Sequence, residues 1–277
     1  MPSPYRHELD VALAAAREAG EILARHWQGA TQSWEKAKDN PVTLADLEAD
    51  RAIVARLRDA FPTDALLSEE TARDAFRCER RRAWIVDPMD GTKEFIARIP
   101  EFAVSIALVE DNEPVVGVIL NPAARIAVFA THGGGCWRAS IDEAGDRSLT
   151  EAAEPAIVSR CALLGDAVLI ASRTEISRNQ LSSYAGWCRK IVPVGSIAWK
   201  LACIACGDGD LNVSVAPKNE WDVCAGDLLV REAGGVYCAF DGSRRRYNQP
   251  DPLIATAMVA GPAALANAFC ARSRQES

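Results

Sequence analysis

The sequence predicts an α/β protein, with an α+β arrangement in its N-terminal half and strand–helix alternation in its C-terminal half. Up to about residue 140, two amphipathic helical patterns are followed by a series of apolar strand patterns. After about residue 160, strand and helix patterns alternate. The segment 139–154 is polar and poorly patterned, which indicates an exposed excursion. We therefore predict two subdomains, at 1–150 and 151–277.

Two helices open the chain. In the first, apolar side chains recur at helical spacing between Leu9 and His26. The second begins after Val42, with Thr43 as its predicted N-cap, because a threonine hydroxyl can accept a hydrogen bond from the first turn. Asp46 then lies in that first turn, where the helix dipole favours an ionised carboxylate.

The remaining elements follow from shorter patterns. In the first half, apolar runs bounded by turn residues predict strands at 65–68, 83–87, 102–109, 114–120 and 125–131, with a hairpin turn at 110–113. In the second half, similar runs predict strands at 167–171, 191–194, 211–215, 236–239 and 252–260. Helical patterns there cover 196–206, 222–233 and 262–271.

One stretch at the end of a predicted strand points to chemistry. It reads Asp87-Pro88-Met89-Asp90-Gly91-Thr92. Two carboxylates on one turn attract a hard divalent cation, which prefers oxygen ligands. Backbone N–H groups at the following turn or helix start attract an anion such as phosphate. A simpler structural interpretation also fits the stretch alone: a strand-end Asp-Pro turn in which Asp90 caps a helix.

Further acidic residues stand at the edges of other apolar segments. Glu69 follows the strand pattern at 65–68, Asp222 begins a helical pattern, and Asp46 lies near the start of the second helix. Together with Asp87 and Asp90 they predict a carboxylate cluster for metal. Oxygen-only ligation favours Mg²⁺ over softer metals.

Composition excludes several classes of protein. With 277 residues, 49% of them hydrophobic, the chain can bury a sizeable core. No secretory signal or membrane-spanning run is apparent, and the net charge of −7 argues against general nucleic-acid binding. The three histidines lie outside the acidic motifs, which argues against a zinc site, and nine scattered cysteines suggest a reducing cytoplasm.

The sequence resembles the inositol monophosphatase superfamily of magnesium-dependent, lithium-sensitive phosphatases. The motifs that carry the resemblance are P-V-T-x-A-D from Pro41 to Asp46, L-S-E-E from Leu67 to Glu70, D-P-M-D-G-T-K-E-F from Asp87 to Phe95, and W-D-x-x-A-G from Trp221 to Gly226. The resemblance implies a layered αβαβα sandwich and a cytoplasmic enzyme, monomeric or homodimeric, acting on a small phosphorylated substrate.

The resemblance also implies roles for individual residues. Two or three Mg²⁺ ions would be held by Glu69, Asp87, Asp90, Asp222 and the backbone carbonyl of Met89. Asp46 and Thr92 would orient or activate the attacking water, and Glu69 is counted with them as catalytic. Gly91 and Thr92 would bind phosphate. Most metal ligands thus fall in the first subdomain, and the second contributes Asp222 and substrate contacts.

The choice of substrate rests on fewer residues. Lys93-Glu94-Phe95 resembles the CysQ-type 3'(2'),5'-bisphosphate nucleotidases. Inositol phosphatases place a glutamate that binds a ring hydroxyl seven residues before the W-D aspartate, where this chain has Val215. Candidate contacts for a second phosphate are Ser172, Arg173, Ser196 and Lys200. We therefore expect hydrolysis of 3'-phosphoadenosine 5'-phosphate to AMP.

Two alternatives stay open at this point. The chain could be an inositol monophosphatase or another sugar or small-molecule phosphatase of the same fold. It could also be a catalytically silent binding protein, although every acidic motif residue is present.

Overall fold

The structure is a computed structural model that describes residues 3–29, 33–37, 40–71, 73–144 and 148–276. Its helices are α1 (Arg6–Gln28), α2 (Leu44–Ala60), α3 (Thr92–Ile96), α4 (Ile141–Ala144), α5 (Arg173–Ser177), α6 (Ile197–Ala205), α7 (Glu220–Glu232) and α8 (Ala263–Glu276). Short 3₁₀ turns occupy Arg77–Glu79, Leu164–Asp166 and Ser182–Tyr184.

The strands form two large sheets and two small ones. The first-half strands are β1 (Ser33–Ala37), β2 (Asn40–Thr43), β3 (Ala65–Ser68), β4 (Arg82–Asp90), β5 (Ala103–Glu110), β6 (Glu113–Asn121), β7 (Ile126–Thr131) and β8 (Gly135–Ser140). The later strands are β9 (Glu154–Pro155), β10 (Val168–Ala171), β11 (Lys190–Pro193), β12 (Leu211–Ser214), β13 (Lys218–Asn219), β14 (Val236–Ala239), β15 (Leu253–Ile254) and β16 (Met258–Gly261).

Strand order follows the two halves of the chain closely. Strands β3 to β9 form one sheet in sequential order, antiparallel except for the parallel pair β3–β4. The second sheet has the order β11-β10-β12-β16-β14, in which β10 is parallel to both of its neighbours. The small sheets pair β1 with β2 and β13 with β15.

Three apolar clusters show how the helices and sheets are layered. One cluster joins α1 and α2 to a face of the seven-stranded sheet, for example through Leu13, Ile53 and Ile106. A second packs α6 and α7 between the opposite face of that sheet and the five-stranded sheet. The third places α8 on the outer face of the five-stranded sheet. The layers therefore run helix, sheet, helix, sheet, helix, and the predicted α/β sandwich is confirmed.

A close backbone approach marks the middle layer. A Cβ atom added to Gly117 of β6 would lie 2.9 Å from the carbonyl oxygen of Ala225 in α7. Only glycine leaves room for the helix at this distance from the sheet. The carboxylate of Asp222 lies one turn before this contact, so the packing of α7 fixes its height above the sheet.

Most predicted elements coincide with observed ones, and two regions differ. The strand predicted at 252–260 is two strands, because Leu253 of β15 leaves the main sheet to pair with Asn219 and is 46% exposed. In the excursion, β8 extends to Ser140, and Glu154 in β9 pairs with Arg138. The seven-stranded sheet thus continues past residue 150, where we predicted a subdomain boundary. Predicted excursion residues Gly145, Asp146 and Arg147 lie outside the described residues.

In the part of the chain that the structure describes, no helix is long and apolar enough to cross a membrane.

Candidate active site

The carboxylates of Asp87 and Asp90 are presented by an irregular end of β4. Asp87 pairs with Ser105 and Asp90 with Ala103, so the register against β5 shifts between them. We predicted that Pro88 would end the strand, but β4 continues through it as a bulge. A bulge accommodates proline, which has no N–H to donate. The Asp87 carboxylate accepts a hydrogen bond from the backbone N–H of Met89 at 2.9 Å.

The chain turns sharply after Asp90. Gly91 has a φ of 98°, in the left-handed region that glycine tolerates best. A Cβ atom there would also lie 2.9 Å from the carbonyl oxygen of Glu101. Helix α3 begins at the next residue, Thr92. The turn aims the Thr92 hydroxyl back at the strand end, 3.4 Å from the carbonyl oxygen of Met89.

Asp90 also contacts the second half of the chain. Its Oδ2 accepts hydrogen bonds from the Ser196 hydroxyl and from the N–H of Ala198, both at 2.6 Å. Ser196 is itself the N-cap of α6, accepting from the N–H of Trp199 at 2.9 Å. The alternative interpretation of Asp90 as a helix cap therefore describes a real contact, but with α6 and not with the helix that follows Asp90.

Glu69 and Asp222 reach the same place from two other elements. The backbone N–H of Glu69 donates to the carbonyl oxygen of Val86 at 3.1 Å, which places Glu69 beside the strand end that carries Asp87. Asp222 lies in the first turn of α7, and its Oδ2 accepts from the N–H of Asn219 at 2.6 Å.

Burial and mutual repulsion raise the pKa of two of these carboxyls. The pKa of Asp87 is well above its ordinary value because the group is desolvated and faces Glu69, Asp90 and Asp222. Burial raises the pKa of Asp222 in the same way, with repulsion from Asp90 and Glu69 added. Clustered carboxylates that disfavour one another's charge are stabilised by a cation placed among them.

The donor set fits a hard cation. Each of Asp87, Asp90 and Asp222 uses one oxygen in the hydrogen bonds above, and its other oxygen accepts none from the described residues. Four carboxylates without histidine or thiol suit Mg²⁺. Among the described residues, no three His, Cys, Asp or Glu side chains are already arranged as a metal site.

Asp46 and Thr92 form a pair beside the cluster. Asp46 is only 2% exposed, and its Oδ1 accepts from the Thr92 hydroxyl at 3.2 Å. Its Oδ2 accepts from the N–H and hydroxyl of Thr43, at 2.7 and 2.6 Å, in the capping box of α2. Burial raises the pKa of Asp46 to about 6. Asp46 lies behind Thr92 and does not line the cavity that the four carboxylates share.

The four carboxylates Glu69, Asp87, Asp90 and Asp222 line a cavity of about 330 Å³. Five of the lining residues are acidic, namely Glu69, Asp87, Asp90, Glu94 and Asp222, and three are lysines, namely Lys93, Lys200 and Lys218. Of the other predicted site residues, Met89, Gly91, Thr92, Ser172 and Ser196 also line it.

Arg173 is the predicted substrate contact that the structure does not bring to the cavity wall. Its guanidinium makes bonds of 2.8 and 2.7 Å to the two carboxylate oxygens of Glu101. The same carboxylate accepts from the N–H of Gly195 at 2.6 Å. Arg173 thus ties α5 to the segment before β5. Sequence could not reveal this, because its partner lies 72 residues away.

The hydrogen bonds of two of the three cavity lysines go to backbone carbonyls. Lys200 is 2% exposed, and its ammonium donates to the carbonyl oxygens of Val194 and Ser196 at 3.1 and 2.9 Å. The ammonium of Lys218 donates to the carbonyl oxygen of Ala216 at 3.2 Å. None of Lys93, Lys200 and Lys218 forms an ion pair with a carboxylate of the described residues. Sequence analysis missed Lys218, whose only signal was its place shortly before the W-D motif.

Burial lowers the pKa of Lys200 to about 8. Asp90 opposes this shift, while repulsion from Lys218 adds to it. Both lysines line the cavity, and an anion bound there would favour their charged forms.

The raised pKa values predict how the metal-free protein responds to pH. Because the folded-state pKa of Asp87 and of Asp222 lies above the unfolded value, the native state holds protons that the unfolded state has released. This contribution to the free energy of unfolding falls as pH rises above the ordinary aspartate pKa of 3.8. Asp222→Asn removes one such group, so we expect it to gain stability relative to the wild type as pH rises. Urea unfolding in chelator across a pH series measures this, and parallel profiles would contradict it.

Comparisons with known proteins agree with this fold. The family model of the inositol monophosphatase family matches residues 5–276. The chain is 30% identical over 278 residues to Nus factor SuhB of Escherichia coli K12, covering 97% of this chain and 96% of that protein. It is 32% identical over 252 residues to the 3'(2'),5'-bisphosphate nucleotidase CysQ of Shigella flexneri, covering 89% and 96%.

Solved structures give the same result. The inositol monophosphatase of Thermotoga maritima superposes with a TM-score of 0.81 at 28% identity, over 98% of this chain and 97% of that one. CysQ of Bacteroides thetaiotaomicron superposes with a TM-score of 0.77 at 32% identity, over 94% and 98%. With its layered sandwich, its acidic cavity and a family model that matches nearly its whole length, this chain belongs to the inositol monophosphatase family.

Proposed function

We propose that this protein is a Mg²⁺-dependent phosphatase that hydrolyses 3'-phosphoadenosine 5'-phosphate to AMP and phosphate. The observation that carries the proposal is a single cavity lined by Glu69, Asp87, Asp90, Glu94 and Asp222 and by three lysines that form no ion pair with a carboxylate of the described residues. The carboxylates suit a divalent cation, and the lysines suit a second anionic group on the substrate.

The residues divide the chemistry among them. Glu69, Asp87, Asp90, Asp222 and the Met89 carbonyl would hold Mg²⁺, which would supply Lewis-acid polarisation there. Thr92 positions the attacking water through its hydroxyl. Asp46 holds the Thr92 hydroxyl and, with a pKa of about 6, is mostly ionised at neutral pH and ready to accept a proton.

We assign the second phosphate to the lysines that line the cavity. Lys200 has one N–H left after its two hydrogen bonds to backbone carbonyls, and Lys218 lines the same cavity. Ser172 lines the same cavity and can donate a hydroxyl hydrogen bond to the phosphate, whereas the hydroxyl hydrogen of Ser196 is already donated to Asp90. Arg173 has no part in this proposal, since its Nε and Nη2 donate to Glu101 and it does not line the cavity. Val215 offers no side-chain acceptor for a ring hydroxyl.

Substitution of the two lysines should reveal the second phosphate. We expect Lys200→Met and Lys218→Met each to raise KM for 3'-phosphoadenosine 5'-phosphate by about tenfold or more, because each loses a charge-assisted hydrogen bond worth roughly 1.5–3 kcal/mol. The matched substrate is 3'-AMP, which has the same scissile bond but no 5'-phosphate. Its KM should change by no more than about twofold, as judged by the same free-energy scale. Steady-state phosphate release on both substrates measures the difference.

Arg173→Met is the control for loss of a nearby cation. It should affect the two substrates equally, since Arg173 is bound to Glu101. Equal effects of the lysine variants on both substrates would remove the second phosphate from the proposal. A higher kcat/KM on inositol 1-phosphate than on the bisphosphate would instead assign the chain to the inositol monophosphatase activity of its relatives.

A further inference from the structure

Asp50 is a buried acid of α2 that the proposed chemistry does not use. Its side chain is 0% exposed. One carboxylate oxygen accepts a hydrogen bond from the Ser68 hydroxyl, and the other accepts one from the Thr71 hydroxyl. Ser68 and Thr71 flank the pair Glu69-Glu70. The Asp50 carboxylate therefore bridges the two ends of the short segment that carries Glu69.

The Ser68 hydroxyl extends this bridge into the segment itself. While it donates to Asp50, it accepts from the backbone N–H of Glu70 at 3.4 Å. The N–H of Glu69 is bound to the carbonyl oxygen of Val86 at 3.1 Å. The backbone around Glu69 is thus held on one side by β4 and on the other by Asp50.

Helix α2 contacts a second part of the site through the residue one turn earlier. Asp46 and Asp50 are four residues apart, which places them on one face of the helix. Asp46 binds Thr92, next to the strand end that carries Asp87 and Asp90. Helix α2 therefore contacts both parts of the site, the Glu69 segment through Asp50 and Thr92 through Asp46. Because the helix is rigid, it fixes the distance between these two parts.

Nothing in the described residues neutralises Asp50 with an ion pair. Its two hydroxyl donors form charge-assisted hydrogen bonds, which are shorter, stronger and more directional than neutral ones. Such partners orient the groups that bind a metal directly, and their loss weakens metal affinity without removing a ligand.

We propose that Asp50 is a positioning residue that sets Glu69 at the separation from Asp87 and Asp90 that a divalent cation requires. The inference rests on the proposed function, since it concerns the same Mg²⁺ site. It adds a residue that contacts neither metal nor substrate and acts only through Ser68 and Thr71.

The test is Mg²⁺ binding measured by isothermal titration calorimetry on the full chain, without substrate. We expect Asp50→Ala to raise the Kd for Mg²⁺ by about 10–100-fold, as is typical when a partner of a metal ligand is removed. Thr71→Val removes one of the two bonds and leaves the buried carboxylate in place, so it should weaken Mg²⁺ binding in the same direction but less. If Asp50→Ala fails to fold, the Mg²⁺ affinity of Thr71→Val alone tests the positioning role.

The matched control is Asp227→Ala. Asp227 is also fully buried, and it accepts from Arg231 and Tyr247 at 2.7 and 3.0 Å. This variant should lose thermal stability as Asp50→Ala does, yet keep the wild-type Mg²⁺ affinity. Wild-type affinity in both Asp50→Ala and Thr71→Val, or in Thr71→Val alone if Asp50→Ala does not fold, would overturn the positioning role. So would an equal loss in Asp227→Ala. Absence of Mg²⁺ binding in the wild type would overturn the proposed function, and the inference with it.

Discussion

Removal of divalent cations should abolish phosphate release by this protein, and added Mg²⁺ should restore it. Without a cation, Glu69, Asp87, Asp90 and Asp222 repel both one another and the phosphate dianion. Among the described residues, no arginine lines the cavity to take the place of the metal charge. Incubation with excess chelator, followed by titration of Mg²⁺ and a phosphate-release assay, measures the effect.

Controls distinguish a catalytic cation from one that only stabilises the fold. Circular dichroism in chelator should show a folded protein, since the carboxylates hold protons more readily when buried together. Lithium should inhibit, as the resemblance to lithium-sensitive phosphatases implies. Undiminished turnover in excess chelator would rule out the metal-cluster interpretation.

Asp90→Asn should lower turnover by several orders of magnitude while the protein stays folded. The substitution keeps the shape of the side chain but removes a charge that holds the cation. Metal polarisation contributes several kcal/mol of transition-state stabilisation, and each 1.36 kcal/mol corresponds to about a tenfold change in rate. Single-turnover and steady-state phosphate release on the same protein preparation measure the loss.

The contact between Asp90 and α6 requires a separate control. An asparagine at this position keeps one oxygen that can accept from Ser196 or Ala198, so α6 should retain part of its cap. We expect the far-ultraviolet circular dichroism of the metal-free variant to match that of the wild type. Unfolding of the variant in the absence of metal would instead show that Asp90 is chiefly a structural cap.

Local signals in the sequence predicted local structure well. The Thr43 cap and the place of Asp46 in the first turn of α2 were recognisable because both depend on contacts three residues apart. Strands β3 to β7 were predicted from apolar runs whose neighbours in the sheet are also neighbours in sequence, whereas β1, β2 and β8 were not predicted. The positions of the acidic residues at element ends then predicted which side chains would meet.

Long-range contacts were not predictable in the same way. The hydrogen bond from Ser196 to Asp90 joins residues 106 apart, and the Arg173–Glu101 pair joins residues 72 apart. The local sequence around these residues does not show whether a side chain will line the cavity or form an ion pair away from it. The prediction of the lysines that line the cavity was incomplete for the same reason. Lys218 lies on β13, a two-residue strand that forms only by pairing with β15.

The position of α7 between the two sheets has a consequence for synthesis of the chain. One face of the seven-stranded sheet is covered by α1 and α2, which precede it in sequence. The other face, with Ala107, Ile119 and Val128, is covered by α6 and α7, which the ribosome makes later. A nascent chain that ends after β8 therefore carries a nearly complete sheet with one apolar face open to water and to other nascent chains. The same helix that brings Asp222 to the cavity ends this exposure, so a functional site and a protected core are completed together.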